Sequence, residues 1–470
     1  MTEFIACYVQ TLAPVHLGCD EVYEPMSFIL QEDQRQMIVY DPWSFFQEMP
    51  PADRQKFTAI CQQGKISSIL QIYQFLRGRS ARGRAVEVCP GLVKHYRQTL
   101  ALPLADERRI QKELNNFTIG RTAFLADDGR PYIPGSAVKG ALRTAYLNYL
   151  AQTPRTFSPR GRGRELEKDL LEGGSFHTDP FRLLKVSDFM PVGEVKTKIV
   201  YAVNEKKKIS QFQAQGPYQI LEVILPGAIF QGNISLAPPP RGAGIKKPLT
   251  KEALLHSAAT FYETEKQREG EDFFELGLNH IDAPAPPALL LRLGRHSGAE
   301  SVTIAKYRKI KIMQGRGQPN KTLDHATTFW LAAEAAKPED KRHLRPFGWV
   351  AWQEMSSEVA EVFHDKEKNW QENQGTTQRP AITTASPLAP AAAPETKAAA
   401  VTQVWEGASL TFDPGRQEVT AAWQGKKALF REKNLVPEGL HKKLFQQKKA
   451  VQATVTVESL GNYHKIIAIE

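Results

Sequence analysis

The 470-residue sequence holds only four cysteines, Cys7, Cys19, Cys61 and Cys89. They form no C-x-x-C pair and follow no regular spacing. A zinc ribbon and a disulfide scaffold are therefore excluded, and a reducing cytoplasmic setting is expected. Long apolar runs are missing too. The longest candidate, Tyr218 to Phe230, is interrupted by Glu222, Pro226 and Gly227, well short of the roughly 20 residues a membrane helix needs. The opening Met1-Thr2-Glu3-Phe4 has neither the basic start nor the apolar stretch of a signal peptide. Walker spacing and a dinucleotide fingerprint are both absent, so no nucleotide cofactor, metal or membrane partner is expected.

Apolar residues make up 41% of the chain and charged ones 24%, a composition that supports packed cores and, at this length, two to four domains. Charge of one sign is in excess: 61 Lys+Arg stand against 51 Asp+Glu, a net +10. Such a balance suits an anionic partner. The excess is clustered. Arg77, Arg79, Arg82 and Arg84 share RGRSARGR; Arg155, Arg160, Arg162 and Arg164 share PRTFSPRGRGR. Lys306, Arg308, Lys309, Lys311, Arg316 and Lys321 lie between Ser301 and Leu323 with no acid among them. Mixed with Gly, Ser and Pro, these runs read as loops that could track a phosphate backbone; solubilising charge is the competing reading.

The element pattern is α+β. Phe4–Gln10 reads as a buried strand, and Tyr23–Leu30 with Gln36–Tyr40 as a hairpin. Asp41-Pro42 opens the first of two short helices across Trp43–Leu76. A helix is expected from Ser136, where Val138, Leu142, Ala145 and Tyr149 make one apolar stripe. A second helix is expected over Lys251–Glu269, ending at Gly270. Strands are expected at Arg182–Phe189, Val195–Val203, Gln219–Leu236, Ala288–Leu293 and Phe347–Trp352. Hairpins mixed with helices, rather than repeated βα units, place the fold in the α+β class. Residues 372–400 are rich in Ala, Pro, Thr and Gln and read as a flexible linker. Residues 401–470 hold four strand candidates, enough for a small barrel or sandwich.

Two segments carry candidate chemistry. In YIPGSAVKGALR (Tyr132–Arg143) a strand ends, Pro-Gly turns the chain and Ser136 is expected to cap a helix. Free N–H groups and the macrodipole would seat an anion there. Lys139 and Arg143, four residues apart, would share a face, while Gly135 and Gly140 would let another backbone approach. An ordinary capped helix with two surface cations explains the same residues. The second segment, Arg292-Leu293-Gly294-Arg295-His296-Ser297-Gly298, is a Gly-flanked basic turn that could offer N–H groups and Arg to phosphates.

These segments resemble the RAMP superfamily of CRISPR-associated proteins, and within it the family of the fifth Csm subunit of type III-A effector complexes. TLAPVHLG (Thr11–Gly18) is similar to the family's opening strand-loop, Tyr132–Arg143 to its G-S-x-x-K-G-x-x-R helix start, and FRLLKVSDF (Phe181–Phe189) to its F-x-x-L-x-V-S-D segment. Arg292–Gly298 resembles its Gly-rich loop, with Arg295 and His296 interrupting the small residues. The resemblance spans roughly residues 1–353. It implies two ferredoxin-like halves, approximately 1–190 and 191–371, followed by the linker and accessory module. It also implies a role capping the 3′ end of crRNA, supporting crRNA maturation and antiviral defence. The partners implied are crRNA, the RAMP backbone subunit, the small helical subunit and a crRNA-trimming nuclease.

The RNA-binding residues expected on both grounds are His16, Gly135, Ser136, Lys139, Gly140, Arg143, Arg292, Gly294, Arg295, Gly298, Lys306, Arg308, Lys309 and Lys311. No catalytic residue is expected. Asp20, with Glu21 and Glu24 beside it, reads as a turn acid, and His16 lacks the positioned partner a general base needs. His364-Asp365 is an isolated dipeptide. A ribonuclease of the same superfamily and a protein-only assembly adaptor are the alternatives.

Overall fold

The computed structural model describes residues 2–153, 163–173, 175–209, 216–313, 317–376, 401–413, 418–424, 426–430, 436–447, 450–460 and 463–469. The chain divides into two compact units, Met1–Ile382 and Thr383–Glu470.

In the first unit one sheet is wholly antiparallel. Its order is Leu289–Arg292, Trp349–Glu354, Glu3–Thr11, Ile229–Leu236 and Leu184–Val186, with Met190–Pro191 also pairing onto Ile229–Leu236. Along Glu3–Thr11 the alternation of the strand decides the faces. Ile5, Cys7 and Val9 point into a core shared with the helices Gly135–Gln152 and Lys251–Leu276. Tyr8 points the other way, where Phe363 of the helix Ser357–Thr376 packs edge-on at 5.1 Å. Part of the outer face of this sheet is thus covered by the chain itself, while Phe4 on the same face is 66% exposed.

A second, mixed sheet runs in the order Gly18–Val22, Ile119–Thr122, Gln219–Ile224, Thr197–Lys206, Arg84–Val88, Gln36–Val39 and Phe28–Gln31. Thr328–Ala333 also joins Thr197–Lys206. The helices Ile66–Leu76, Pro90–Leu100 and Glu107–Asn116 bury Leu70, Tyr73, Leu92, Tyr96 and Ile110 against it. Both sheets draw strands from residues before and after 190, so the expected halving of the chain does not separate them. Gln219–Leu236 is two strands, one in each sheet, and the turn at Pro226-Gly227 (φ +92° at Gly227) carries the chain between them.

The expected helix end at Gly270 is wrong. The helix runs to Leu276 and stops at Gly277, which adopts φ +65°. Gly277 can take this left-handed C-terminal position without strain, whereas Gly270 is an interior helical residue. Helix Ser357–Thr376 extends into the expected linker; residues 377–400 lie outside the described residues.

The second unit is a closed barrel with the order Val401–Asp413, Glu418–Trp423, Lys426–Phe430, Tyr463–Ile469 and Val451–Leu460. Trp405, Leu410, Val419, Val455, Val457 and Ile466 fill its interior. Lys426–Phe430 is a strand not anticipated from the sequence.

Candidate nucleic-acid interface

The four segments singled out in the sequence meet in pairs. The first pair joins Tyr132–Arg143 to Phe181–Phe189. Ile133 and Phe189 exchange backbone hydrogen bonds of 3.1 and 2.8 Å, and the Gly135 N–H donates to Asp188 Oδ1 at 2.8 Å. The helix begins at Gly135 with Pro134 at its N-cap, so Ser136 lies inside the first turn and does not cap it. Asp188 supplies the anion that an N-terminus attracts. A Cβ on Gly135 would collide with the carbonyls of Val186 and Ser187, which explains the glycine.

The two cations on this helix are also committed. Lys139 Nζ donates to Leu184 O at 2.8 Å; burial and the neighbouring Lys185 hold its pKa below the usual lysine range. Arg143 pairs with Glu167 at 2.7 Å and Asp179 at 2.9 Å, its guanidinium 5.0 Å from the Phe181 ring centre. Ser136 and Gly140 remain exposed, and Gly140 has open space beside it.

The second pair joins Thr11–Gly18 to Arg292–Gly298. The Arg295 N–H donates to His16 O at 2.8 Å, and the Gly348 N–H to Pro14 O at 2.9 Å. Gly294 adopts φ +81° and presses on the His16 carbonyl, a contact no side chain would allow. His16 is 1% exposed, and its Nδ1 donates to Glu222 O at 2.8 Å. Burial lowers its pKa and outweighs the hydrogen bond to Glu222. A neutral ring in the core cannot meet a phosphate, so His16 is removed from the RNA-contacting set. His296 occupies φ +65° and packs on Trp330 and Phe347, 4.5 and 5.4 Å between ring centres. Burial and the Arg295 charge lower its pKa to about 4.

Arg292 is removed for the same reason as His16. It is buried, pairs with Glu269 at 2.7 Å, and donates to Phe347 O at 3.0 Å. Arg308 is buried at its side chain and pairs with Glu265 at 2.5 Å while donating to Glu300 O at 2.9 Å. Lys207 reaches Glu300 at 2.6 Å, and Arg268 reaches Glu265 at 2.8 Å. Three cations and three carboxylates, counting Asp272, form one network around the helix Lys251–Leu276, with the Arg292–Glu269 pair beside it at the same helix. It braces the segment 292–308 rather than offering charge to a ligand. Asn148 adds a polar clamp, donating to Thr303 O at 3.1 Å and accepting from the Ala305 N–H at 2.8 Å.

What the brace supports is exposed. Arg295, Lys306, Lys309, Lys311 and Lys321 all face solvent, and Lys311 and Lys321 stand on the hairpin Ile310–Ile312/Lys321–Leu323. Arg316 lies outside the described residues, as do Arg155, Arg160 and Arg162. The RGRSARGR run differs from expectation. Arg77 pairs with Glu32 at 2.7 Å, Arg79 with Asp53 at 2.8 Å, and Arg84 with the buried Glu222 at 2.8 Å. Arg84 thus links two strands of the second sheet, while Arg77 and Arg79 pair with carboxylates of a turn and a helix.

Comparison with known proteins decides the family. A model of the RAMP superfamily matches residues 8–297. The chain belongs to the RAMP superfamily. Curated relatives of this RAMP chain include the CRISPR system Cms protein Csm5 of Methanocaldococcus jannaschii, 33% identical over 113 residues. That match covers 22% of this chain and 27% of the relative. The protein of the same name from Streptococcus thermophilus is 29% identical over 197 residues, 38% of this chain and 50% of the relative. The match thus spans half or less of either relative. Solved structures similar to the RAMP chain include a cryo-EM Csm–crRNA–target RNA ternary complex of a type III-A CRISPR-Cas system. That match has TM-score 0.46 and 18% identity, covering 75% of this chain and 100% of the other. The crystal structure of T. onnurineus Csm5 matches with TM-score 0.43 and 15% identity, covering 73% and 99%.

Asp188, Asn148, Glu265, Glu269 and Glu300 were not anticipated. Asp188 had a signal, since it is the acid of the V-S-D segment that follows the helix. The others are distant in sequence from what they hold.

Proposed function

We propose that this RAMP chain is a non-catalytic, crRNA-binding subunit of a type III-A Csm ribonucleoprotein. In this reading it caps the 3′ end of the crRNA and supports its maturation in antiviral defence. Its neighbours are the backbone RAMP subunit and the small helical subunit, with a trimming nuclease acting on the free RNA end. One observation carries the reading: an exposed, acid-free set of lysines at 306, 309, 311 and 321 stands on a braced platform beside the Gly-rich loop. Such a surface binds phosphates and not bases, as a subunit facing variable guides requires. The antiparallel sheet supports a ferredoxin-like half, because inside the edge strand Leu289–Arg292 its strands at 349–354, 3–11, 229–236 and 184–186, numbered among themselves, follow the order 4-1-3-2. The helix Ser357–Thr376 packs on part of the sheet's outer face, and the exposed lysines lie on the loops, so RNA is expected there. Burial of His16 supports the non-catalytic reading, since a general base must reach its substrate.

The test is single-stranded RNA binding by the full chain across a salt series. The Lys309→Ala/Lys311→Ala double variant removes two phosphate contacts and is expected to lower the salt slope by about 1.4, at roughly 0.7 per contact. The loss is expected to be equal for unrelated sequences. An unchanged slope refutes the interface. RNA cleavage by the purified chain refutes the non-catalytic reading.

A further inference from the structure

The C-terminal barrel has a connectivity that sequence reading left open. Numbered within the unit, its strands close in the order 1-2-3-5-4. Strand 1 pairs antiparallel with strands 2 and 4, and strand 3 pairs parallel with strand 5. A helical segment, Glu438–His441 continuing through Lys442–Gln446, lies between strands 3 and 4 and puts Leu444 into the core. This is the five-stranded oligonucleotide/oligosaccharide-binding barrel, whose ligand face lies on strands 2 and 3.

A fold alone does not assign a ligand, so the side chains where those two strands meet must decide. Trp423 ends strand 2 in step with the core-facing Val419 and Ala421, so it sits at the rim of the barrel beside the turn between strands 2 and 3, in register with Lys426, which opens strand 3. The Trp423 ring lies nearly parallel to the buried Trp405, 13° apart with centres 5.8 Å apart, and its Nε1–H donates to Glu406 O at 2.9 Å. The indole is therefore held from behind while remaining partly exposed. Lys426 is exposed, with Nζ 3.5 Å from Gln403 Oε1. A fixed aromatic plane beside a cation is the unit from which sequence-tolerant single-strand sites are built: the ring stacks a base and the cation meets its phosphate. Charge favours a polyanion over a neutral saccharide, since residues 401–470 hold ten Lys/Arg against seven Asp/Glu.

We propose that the barrel is a second, sequence-independent site for single-stranded RNA, with Trp423 as its stacking platform and Lys426 as a phosphate contact. It is separate from the lysine hairpin of the first unit, and tethering of two weak sites on one chain raises overall avidity.

The experiment uses the full chain and an oligouridylate of about 12 nucleotides, within the roughly 4–16 that one such barrel covers. In the Lys309→Ala/Lys311→Ala background, residual binding is expected to persist, with photo-cross-links in residues 418–430. Adding Lys426→Glu, a change at an exposed position, is expected to weaken that residual binding about 3- to 10-fold. Adding Trp423→Ala is expected to weaken it about 5- to 10-fold or more, the scale of one lost base stack. Thermal melting of each variant checks that the barrel stays folded, and Lys426→Glu keeps the test decisive if Trp423→Ala does not. Residual affinity unchanged by Lys426→Glu, with no cross-link in 401–470, overturns the proposal and leaves the hairpin reading untouched. Cross-links from 418–430 to another protein subunit, and none to RNA, overturn it in favour of protein docking. An unchanged salt slope on neutralising the hairpin, with barrel cross-links intact, overturns the hairpin reading alone.

Discussion

Single residues show how thoroughly this chain spends its charge on its own structure. Asp188 closes the N-terminus of Gly135–Gln152, so Asp188→Ala is expected to cost about 1 kcal/mol, the usual loss on removing a capping side chain. Denaturant unfolding measures it, and Asp188→Asn is expected to recover most of the loss because its amide oxygen still accepts. Glu300 makes a sharper case. Burial alone would raise its pKa, but Lys207 and the Ala326 N–H reverse this and hold it at about 2, against an ordinary 4.5. Its pKa is depressed in the folded state, so between those values the unfolded chain binds the extra proton. The stability Glu300 provides is therefore complete above about pH 4.5 and is lost as pH falls toward 2. Lys207 titrates below the usual lysine range because burial and Arg268 outweigh Glu300. A Glu300→Gln variant is expected to show a flatter stability profile over that acid window. An identical profile would show that other carboxylates govern the acid limb.

At the level of elements, the basic hairpin depends on a helix far away in sequence. Glu265 sits on the helix Lys251–Leu276 and neutralises Arg308, whose side chain is 9% exposed. Removing one member of a buried pair strands the other, typically at about 3–5 kcal/mol. Glu265→Ala is thus expected to loosen residues 305–312, seen as faster amide hydrogen exchange there, while exchange in the strand Glu3–Thr11 stays slow. Equal acceleration in both places would mean that the carboxylate supports the whole unit. This dependence also marks the limit of what the sequence discloses. Val138, Leu142 and Ala145 are buried as their spacing requires, and Asp41 caps its helix by accepting from the Ser44 N–H at 2.7 Å. Those features are local. Tyr149, on the same stripe, is 39% exposed because at the helix end Tyr146, Leu147, Leu150 and Ala151 take the buried side instead. Arg77, Arg84, Arg292 and Arg308 look like ligand-binding cations in the sequence because their carboxylate partners lie 23 to 138 residues away by number, at Glu32, Glu222, Glu269 and Glu265. Only the fold shows that Lys306, Lys309 and Lys311 are exposed while the arginine between them is buried.

At the scale of the molecule, each unit has its own hydrophobic core, and among the described residues none of the barrel core belongs to the cores of the first unit. Cooperativity follows shared packing, so heating is expected to produce two calorimetric transitions and not one. At about 0.7 kcal/mol per residue, a barrel of about 70 residues contributes an unfolding enthalpy of roughly 50 kcal/mol, several-fold less than the first unit. Removing residues 401–470 is expected to abolish only the small transition and leave the large one at its temperature. Single-stranded RNA then separates the two proposed sites without any substitution. A ligand at about 100 times its Kd stabilises the unit that binds it by about 2.7 kcal/mol. In a domain of 60–100 residues each kcal/mol moves the midpoint by about 4–8 °C, so RNA bound to the barrel is expected to raise the small transition by about 10 °C or more. RNA held only by the lysine hairpin moves the large transition and leaves the small one where it was. If truncation at 401 shifts or broadens the large transition in the absence of RNA, the barrel is part of the first unit's cooperative structure, and the division into two independently folding units fails.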